Sequence, residues 1–247
     1  MVLFLSSYIY NIRQRGTDKM STLLEQLTEK DTEKATKAAV TWVIDVTGSM
    51  ASEIEAVRDT LLEFADIFEK RGVRLDLGLI SFRDLTQGEK ITTHSFSGST
   101  FTRDAEKFRN EIKSTLVAKG GGPTPESSYD AVVQACNLEW PQGSDRVIVL
   151  ITDAPSHTKS SGTSDYDATD VKTALSESKI NMVYVVTYTK VDAIREQYLS
   201  ILNPKYDQMF DLGNKDKSSL IKTIRNIGLS TSERTGSVTD RDGTLTE

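Results

Sequence analysis

Apolar runs and amphipathic stretches alternate along most of this chain. Val40–Val46 is nearly all apolar, and so are 73–82 (VRLDLGLISF), 146–152 (RVIVLIT) and 181–188 (NMVYVVTY). Short runs of this kind, bounded by turn residues, predict strands buried on both faces. Between the first two runs, Ile54, Val57, Leu61, Ala65 and Phe68 recur at spacings of three and four. That spacing makes one apolar helix face, which Gly72 ends. Phe108, Ile112 and Leu116 stand four apart and predict a helix over 102–117 with Thr102 as its cap. Further helices are predicted over 126–138, 167–179, 193–202 and 215–229, the last with Leu220, Ile221, Ile224 and Ile227 facing inward. Lys90–Phe96 reads as a third strand, antiparallel to 73–82 across the turn at Gly88, and 208–212 as a last short one.

Strands that alternate with helices predict an α/β fold. The expected architecture is a Rossmann-like open sheet, mostly parallel, with one antiparallel edge strand and helices on both faces. Residues 38–230 form the expected domain. Residues 1–37 form an N-terminal extension, in which Leu23, Leu24 and Leu27 are spaced for a lead-in helix. Residues 231–247 are rich in Thr, Ser, Gly and Asp and read as a disordered polar tail. The apolar start, Met1–Ile12, is too short to span a bilayer and lacks the basic flank and cleavage site of a signal peptide. Residues 1–19 are expected to be an upstream extension or a docking segment, with Met20 reading well as a start. No other stretch is expected to span a membrane.

Composition narrows the function classes. The formal net charge is −6, and no Lys/Arg-rich run interrupts the chain. This argues against sequence-independent nucleic-acid binding, which needs a basic surface. Cys136 stands alone, so an intrachain disulfide and a cysteine zinc site are both excluded. It falls in a helix-like stretch and is expected to be a buried thiol. A chain with one cysteine fits a reducing compartment, and the expected location is cytoplasmic, with secretion as the alternative.

The chemistry gathers at the ends of strands, where open α/β sheets bind ligands. Asp45, Thr47 and Ser49 leave the first strand, Asp153 leaves the RVIVLIT strand, and Gly120–Glu126 precedes a helix. Carboxylates and hydroxyls are hard oxygen ligands, suited to Mg²⁺, Mn²⁺ or Ca²⁺ and not to zinc. The positive end of the following helix favours an ionised Asp45. The same stretch also reads as a metal-free helix cap at Ser49. His94 and His157 are isolated in sequence, and His157 is expected at the surface beside the site.

Asp45-Val46-Thr47-Gly48-Ser49-Met50 resembles the metal-ion-dependent adhesion site, Asp-x-Ser/Thr-x-Ser, of von Willebrand factor type A domains. The resemblance covers about residues 38–230 and includes Ile151-Thr152-Asp153-Ala154. Many of these domains place a Thr after a Gly-Gly pair. Here the loop is Gly120-Gly-Gly-Pro-Thr-Pro-Glu-Ser-Ser-Tyr-Asp-Ala131, more similar to integrin β-subunit and hemicentin-like type A domains. The resemblance implies Asp45, Thr47, Ser49 and Asp153 as metal-site residues, with Glu126 as the third ligand and Thr124 as its rival. It further implies a non-enzymatic domain that holds a divalent cation, Mg²⁺ first and Mn²⁺ or Ca²⁺ as alternatives. That cation takes an Asp or Glu from a protein partner. Two neutral hydroxyls leave the metal electrophilic enough for this. Intracellular members work in assemblies with an ATPase, kinase or phosphatase, and secreted ones in adhesion. The competing reading is a Mg²⁺- or Mn²⁺-dependent hydrolase on the same sheet. Neither a Gly-x-Ser-x-Gly elbow nor a phosphate-binding loop supports it.

Overall fold

The computed structural model describes residues 37–70, 74–213 and 217–234. The extension expected before Lys37, including the lead-in helix, and the tail after Arg234 lie outside them. The first strand, β1, is Lys37–Asp45, and a single 3₁₀ turn at Gly48–Met50 leads into α1, Ala51–Lys70. There follow β2 (Arg74–Phe82), β3 (Thr92–Thr93), β4 (Phe101–Thr102) and α2 (Ala105–Thr115). After the glycine loop come α3 (Ser128–Cys136), β5 (Asp145–Ile151), α4 (Ala168–Glu177) and β6 (Met182–Thr187). The chain closes with α5 (Asp192–Leu199), β7 (Gln208–Asp211) and α6 (Lys217–Arg234). The last helix thus runs past residue 230, the expected end of the domain.

The sheet order is β3-β2-β1-β5-β6-β7, with β4 also on β2. All pairs among β2, β1, β5, β6 and β7 are parallel, and β3 and β4 run antiparallel to β2. The chain therefore moves outward from β1 to β2 and then returns to place β5 on β1's other side. That reversal opens a crevice at the carboxyl ends of β1 and β5. Successive residues of the central strands face opposite cores. Val40, Trp42 and Ile44 meet α1, α2 and Ile227 of α6 on one side. Ala39 and Val43 meet α3, α4 and α5 on the other. Both faces being covered explains why these strands read as unbroken apolar runs.

The antiparallel edge is shorter than its predicted span. Of Lys90–Phe96 only Thr92–Thr93 is strand. His94 still donates its N–H to Leu79 O at 3.0 Å. Its ring is tied inward, with Nε2 2.8 Å from Ser81 Oγ and Nδ1 2.9 Å from Glu111 Oε1 of α2. The chain then turns through Ser97 and Gly98, both at positive φ, and returns as β4. Ser81, His94 and Glu111 are ordered like a hydrolase triad, but Ser81 sits inside a strand paired on both sides. Its backbone is spent on the sheet, and the trio serves to lock α2 and β3 onto β2.

The cap of α2 is also displaced from its predicted place. Asp104 caps it, its carboxylate accepting from the N–H groups of Glu106 and Lys107 at 3.0 Å, while Thr102 belongs to β4. Cys136 is buried in α3 and forms no disulfide. Among the described residues no helix is long and apolar enough to cross a membrane.

Candidate metal centre

Register places the first half of the site. Asp45 pairs with Phe82 at the end of β1, and Ile44 pairs with Ile151, which sets Asp45 level with Thr152. The Thr152 hydroxyl donates to Asp45 Oδ2 at 2.8 Å. Asp45 Oδ1 accepts from Thr47 N–H at 2.9 Å and from Thr47 Oγ1 at 2.6 Å. Thr47 Oγ1 lies 3.2 Å from Ser49 Oγ, and Ser49 donates to Asp153 Oδ1 at 3.0 Å. An unbroken row of oxygens thus runs from Asp45 to Asp153 across the crevice. Ser49 is exposed, Asp153 half-buried, and Asp45 and Thr47 fully buried. Ser49 does not serve as the helix cap. Thr47, not Ser49, stands at the cap of the 3₁₀ turn, and it makes no side-chain cap bond.

The glycine loop closes over this row. Gly48 N–H donates to Gly120 O at 3.1 Å, and Lys119 N–H to Val46 O at 3.0 Å. Gly121, at φ +78°, lies against Thr47 and Glu126. A Cβ there would stand 2.9 Å from the Thr47 side chain and 3.0 Å from Glu126 Oε1. Only glycine, lacking a Cβ, fits a backbone of that conformation at that approach. The loop delivers Glu126 to the site buried, with Oε2 lacking any hydrogen-bond partner. Thr124, its rival in the sequence, is exposed.

Four residues that motif reading does not single out complete the surroundings. Thr152 is one. Glu89 Oε2 accepts from Gly121 N–H at 2.9 Å and so holds the glycine loop. Asp84 caps the 3₁₀ turn Leu85–Gln87, accepting from Thr86 N–H at 2.8 Å. His157 Nε2 lies 3.0 Å from Asp84 Oδ1, and its Nδ1 lies 2.9 Å from Thr163 Oγ1. His157 is buried, in contrast to the expected surface position, because Asp84 gives its ring a polar partner inside. Asp84 and Glu89 flank Gly88 in a charged turn, a sequence signal that looks like ordinary solvated surface.

The acids repel one another. Burial, reinforced by the charge of Asp153, pushes Asp45 up to about 6, against the hydrogen bonds from Thr47 and Thr152. Burial, then the charges of Asp45, Asp84, Glu89 and Asp153, push Glu126 up to about 8. Burial also raises Asp84, but the Thr86 hydrogen bonds and the facing His157 more than offset it and hold Asp84 below its ordinary value.

The donor set is all oxygen. Among the described residues no three Asp, Glu, His or Cys side chains are gathered closely enough to hold a metal by themselves. The group that does converge includes two hydroxyls. An octahedron with bonds of about 2.1 Å has edges of about 3 Å. The 3.2 Å between Thr47 Oγ1 and Ser49 Oγ, and the 3.0 Å from Ser49 to Asp153, match such edges.

A family model described as von Willebrand factor A domain matches residues 39–224. The chain belongs to that family. Its members are generally non-enzymatic interaction modules that bind proteins. The chain is 29% identical over 119 residues to the alpha-protein kinase vwkA of Dictyostelium discoideum, a match covering 47% of this chain. It is 27% identical over 138 residues, 56% of its length, to an Acanthamoeba polyphaga mimivirus protein described as an ariadne-like RING finger protein. The matches span only 18% and 13% of those two proteins. Among solved structures, the von Willebrand factor A domain of SpRpn10 has a TM-score of 0.53 at 16% identity, covering 75% of this chain and 94% of that one. The pilus adhesin SpaC of Lactobacillus rhamnosus GG in its open conformation has a TM-score of 0.55 at 15% identity, covering 82% of this chain and 31% of that one. These two likenesses are of fold.

Proposed function

We propose that this von Willebrand factor A domain holds a divalent cation, Mg²⁺ first, and through it binds an acidic residue of a protein partner. The observation that carries the reading is Glu126. A buried carboxylate with an unpartnered oxygen, surrounded by four other acids, is costly unless a cation shares the site. Thr47, Ser49 and Glu126 would hold the cation, with Asp153 at its edge and Asp45 behind. When bound, the cation supplies a Lewis-acidic position for an oxygen ligand from outside.

The chain's own residues prepare that position. Asp45, clamped by Thr47 and Thr152, fixes the Thr47 hydroxyl. Asp153 orients the Ser49 hydroxyl. Gly121 lets Glu126 approach Thr47, and the exposed Ser49 leaves the site open on the solvent side. Two of these oxygen donors are neutral, so the cation keeps charge to offer a carboxylate. The domain acts in this reading as a binding module and not as an enzyme. Its buried lone thiol supports a reducing, cytoplasmic setting. The likeness to part of a kinase supports a scaffold or regulator role in an assembly with a kinase, ATPase or phosphatase.

The test is calorimetric titration of Mg²⁺, Mn²⁺ and Ca²⁺ into the wild-type protein, Asp45→Ala and Ser49→Ala. Saturable binding by the wild type alone is expected. Equal binding by all three proteins sinks the assignment.

A further inference from the structure

The segment that follows Asp153 is held from behind by a helix that contributes nothing to the oxygen row. Residues 155–157 pair on one side with Glu126 as a single rung of parallel sheet. Glu126 N–H donates to Pro155 O at 2.9 Å, and His157 N–H donates to Glu126 O at 2.8 Å. Between them, Ser156 turns its backbone the other way, toward α5. Ser156 N–H donates to Gln197 Oε1 at 2.8 Å, and Gln197 Nε2 donates to Ser156 O at 2.8 Å. A primary amide offers a donor and an acceptor side by side, as a strand's peptide group does. Gln197 therefore stands where a neighbouring strand would otherwise stand.

Neighbouring bonds fix the same helix to the same loop. Tyr198 of α5 donates its buried hydroxyl to Ala154 O at 2.8 Å. Tyr129 of α3 donates its N–H to Ser156 Oγ at 2.9 Å and its hydroxyl to Gln197 O at 3.0 Å. Ala154 and Ser156 are thus both anchored to α5, and the rung between them and Glu126 transmits that anchorage to the carboxylate. A loop free to shift by an ångström would lose the spacing of Asp153 and Glu126, to which coordination is sensitive.

We propose that Gln197 is a positioning residue of the metal centre. Its amide acts as a surrogate strand that holds residues 155–157 against Glu126, so that α5 sets the placement of Asp153 and Glu126. This rests on the cation reading above.

The experiment compares wild type with Gln197→Leu, which keeps the bulk and loses both bonds. Gln134→Leu is the matched control, since it removes an amide bonded to Thr93 Oγ1 at 2.8 Å at the sheet edge. Two quantities are measured: Mg²⁺ affinity by calorimetry, and hydrogen exchange in chelator at the Glu126, Ser156 and His157 amides. Gln197→Leu is expected to weaken Mg²⁺ binding about tenfold, the lower end for an outer-shell partner, and to speed exchange at all three amides. Gln134→Leu is expected to do neither, whatever it does to the unfolding midpoint. Unchanged affinity and exchange in Gln197→Leu, or an equal loss in both variants, overturns the proposal. If the wild type binds no Mg²⁺, the functional reading falls and exchange alone decides on Gln197: unaltered protection of the three amides refutes it.

Discussion

The Thr152 hydroxyl donates to Asp45 Oδ2 at 2.8 Å, although the two residues lie 107 positions apart in the chain. Both are fully buried, so this bond and those from Thr47 satisfy a carboxylate that water does not reach. Thr152→Val keeps the shape and removes the donor. It is expected to cost about 1–3 kcal/mol in urea unfolding and to weaken Mg²⁺ binding about tenfold. Calorimetry on the folded variant separates the two effects.

Gly121→Ala tests the close approach of the glycine loop. At φ +78° an alanine is strained by about 1–2 kcal/mol, and its Cβ would meet the Thr47 side chain at 2.9 Å and Glu126 Oε1 at 3.0 Å. The variant is expected to fold with a lowered midpoint and to bind Mg²⁺ far less tightly. Gly143→Ala serves as comparison. It carries a similar positive φ of +69° with nothing within 4 Å of the added Cβ, so only the strain should appear.

Glu126 makes the metal-free protein sensitive to pH. Its value rises from 4.5 to about 8 on folding. A raised folded value means that the folded state holds the proton more tightly. The resulting stability is complete below the unfolded value and is lost as pH climbs through the folded one. Asp45 adds the same trend between 3.8 and about 6. In chelator, the unfolding free energy from urea titration, and with it the midpoint, should therefore fall from pH 4.5 to 8, by an amount on the order of a few kcal/mol. Glu126→Gln, neutral throughout, should flatten the decline. A wild-type midpoint that rises across this window contradicts the reading.

The Asp84–His157 pair is a buried tie between the 83–89 turn and the loop after Asp153. His157→Leu leaves Asp84 Oδ1 without its ring partner, beside an Oδ2 that already has none. Leaving a buried carboxylate oxygen short of a donor costs about 1–3 kcal/mol. The loss should appear in urea unfolding, together with faster exchange at the Thr86 and Leu85 amides. The double variant Asp84→Asn/His157→Leu should recover part of it, because the uncompensated charge is gone.

The order of strands and helices was legible because the central strands are buried on both faces and the helices on one. Apolar runs and three-four spacing report those burials directly, and Val147–Ile151 and the Ile54–Leu61 face stand where the pattern put them. The edge was less legible. A two-residue strand such as Thr92–Thr93 buries too little to leave a pattern, and the inward turn of His94 depends on Ser81 and Glu111, which only the fold brings near. The same holds for the cap of α2, where Thr102 and Asp104 are both capping types and pairing with β2 claims the first.

The site divides in the same way. Asp45, Thr47 and Ser49 lie within five residues, so local spacing alone determined their grouping at the end of β1. Asp153 followed from its place after the most apolar strand. Which of Thr124 and Glu126 turns inward was decided by the tertiary structure, through the rung between Glu126 and Ser156 that buries the one and leaves the other exposed. Thr152, Asp84, Glu89 and Gln197, and the burial of His157 against Asp84, became visible only there. Their roles depend on the alignment of β1 with β5 and on contacts between loops, and long-range register of that kind leaves no periodicity in the chain.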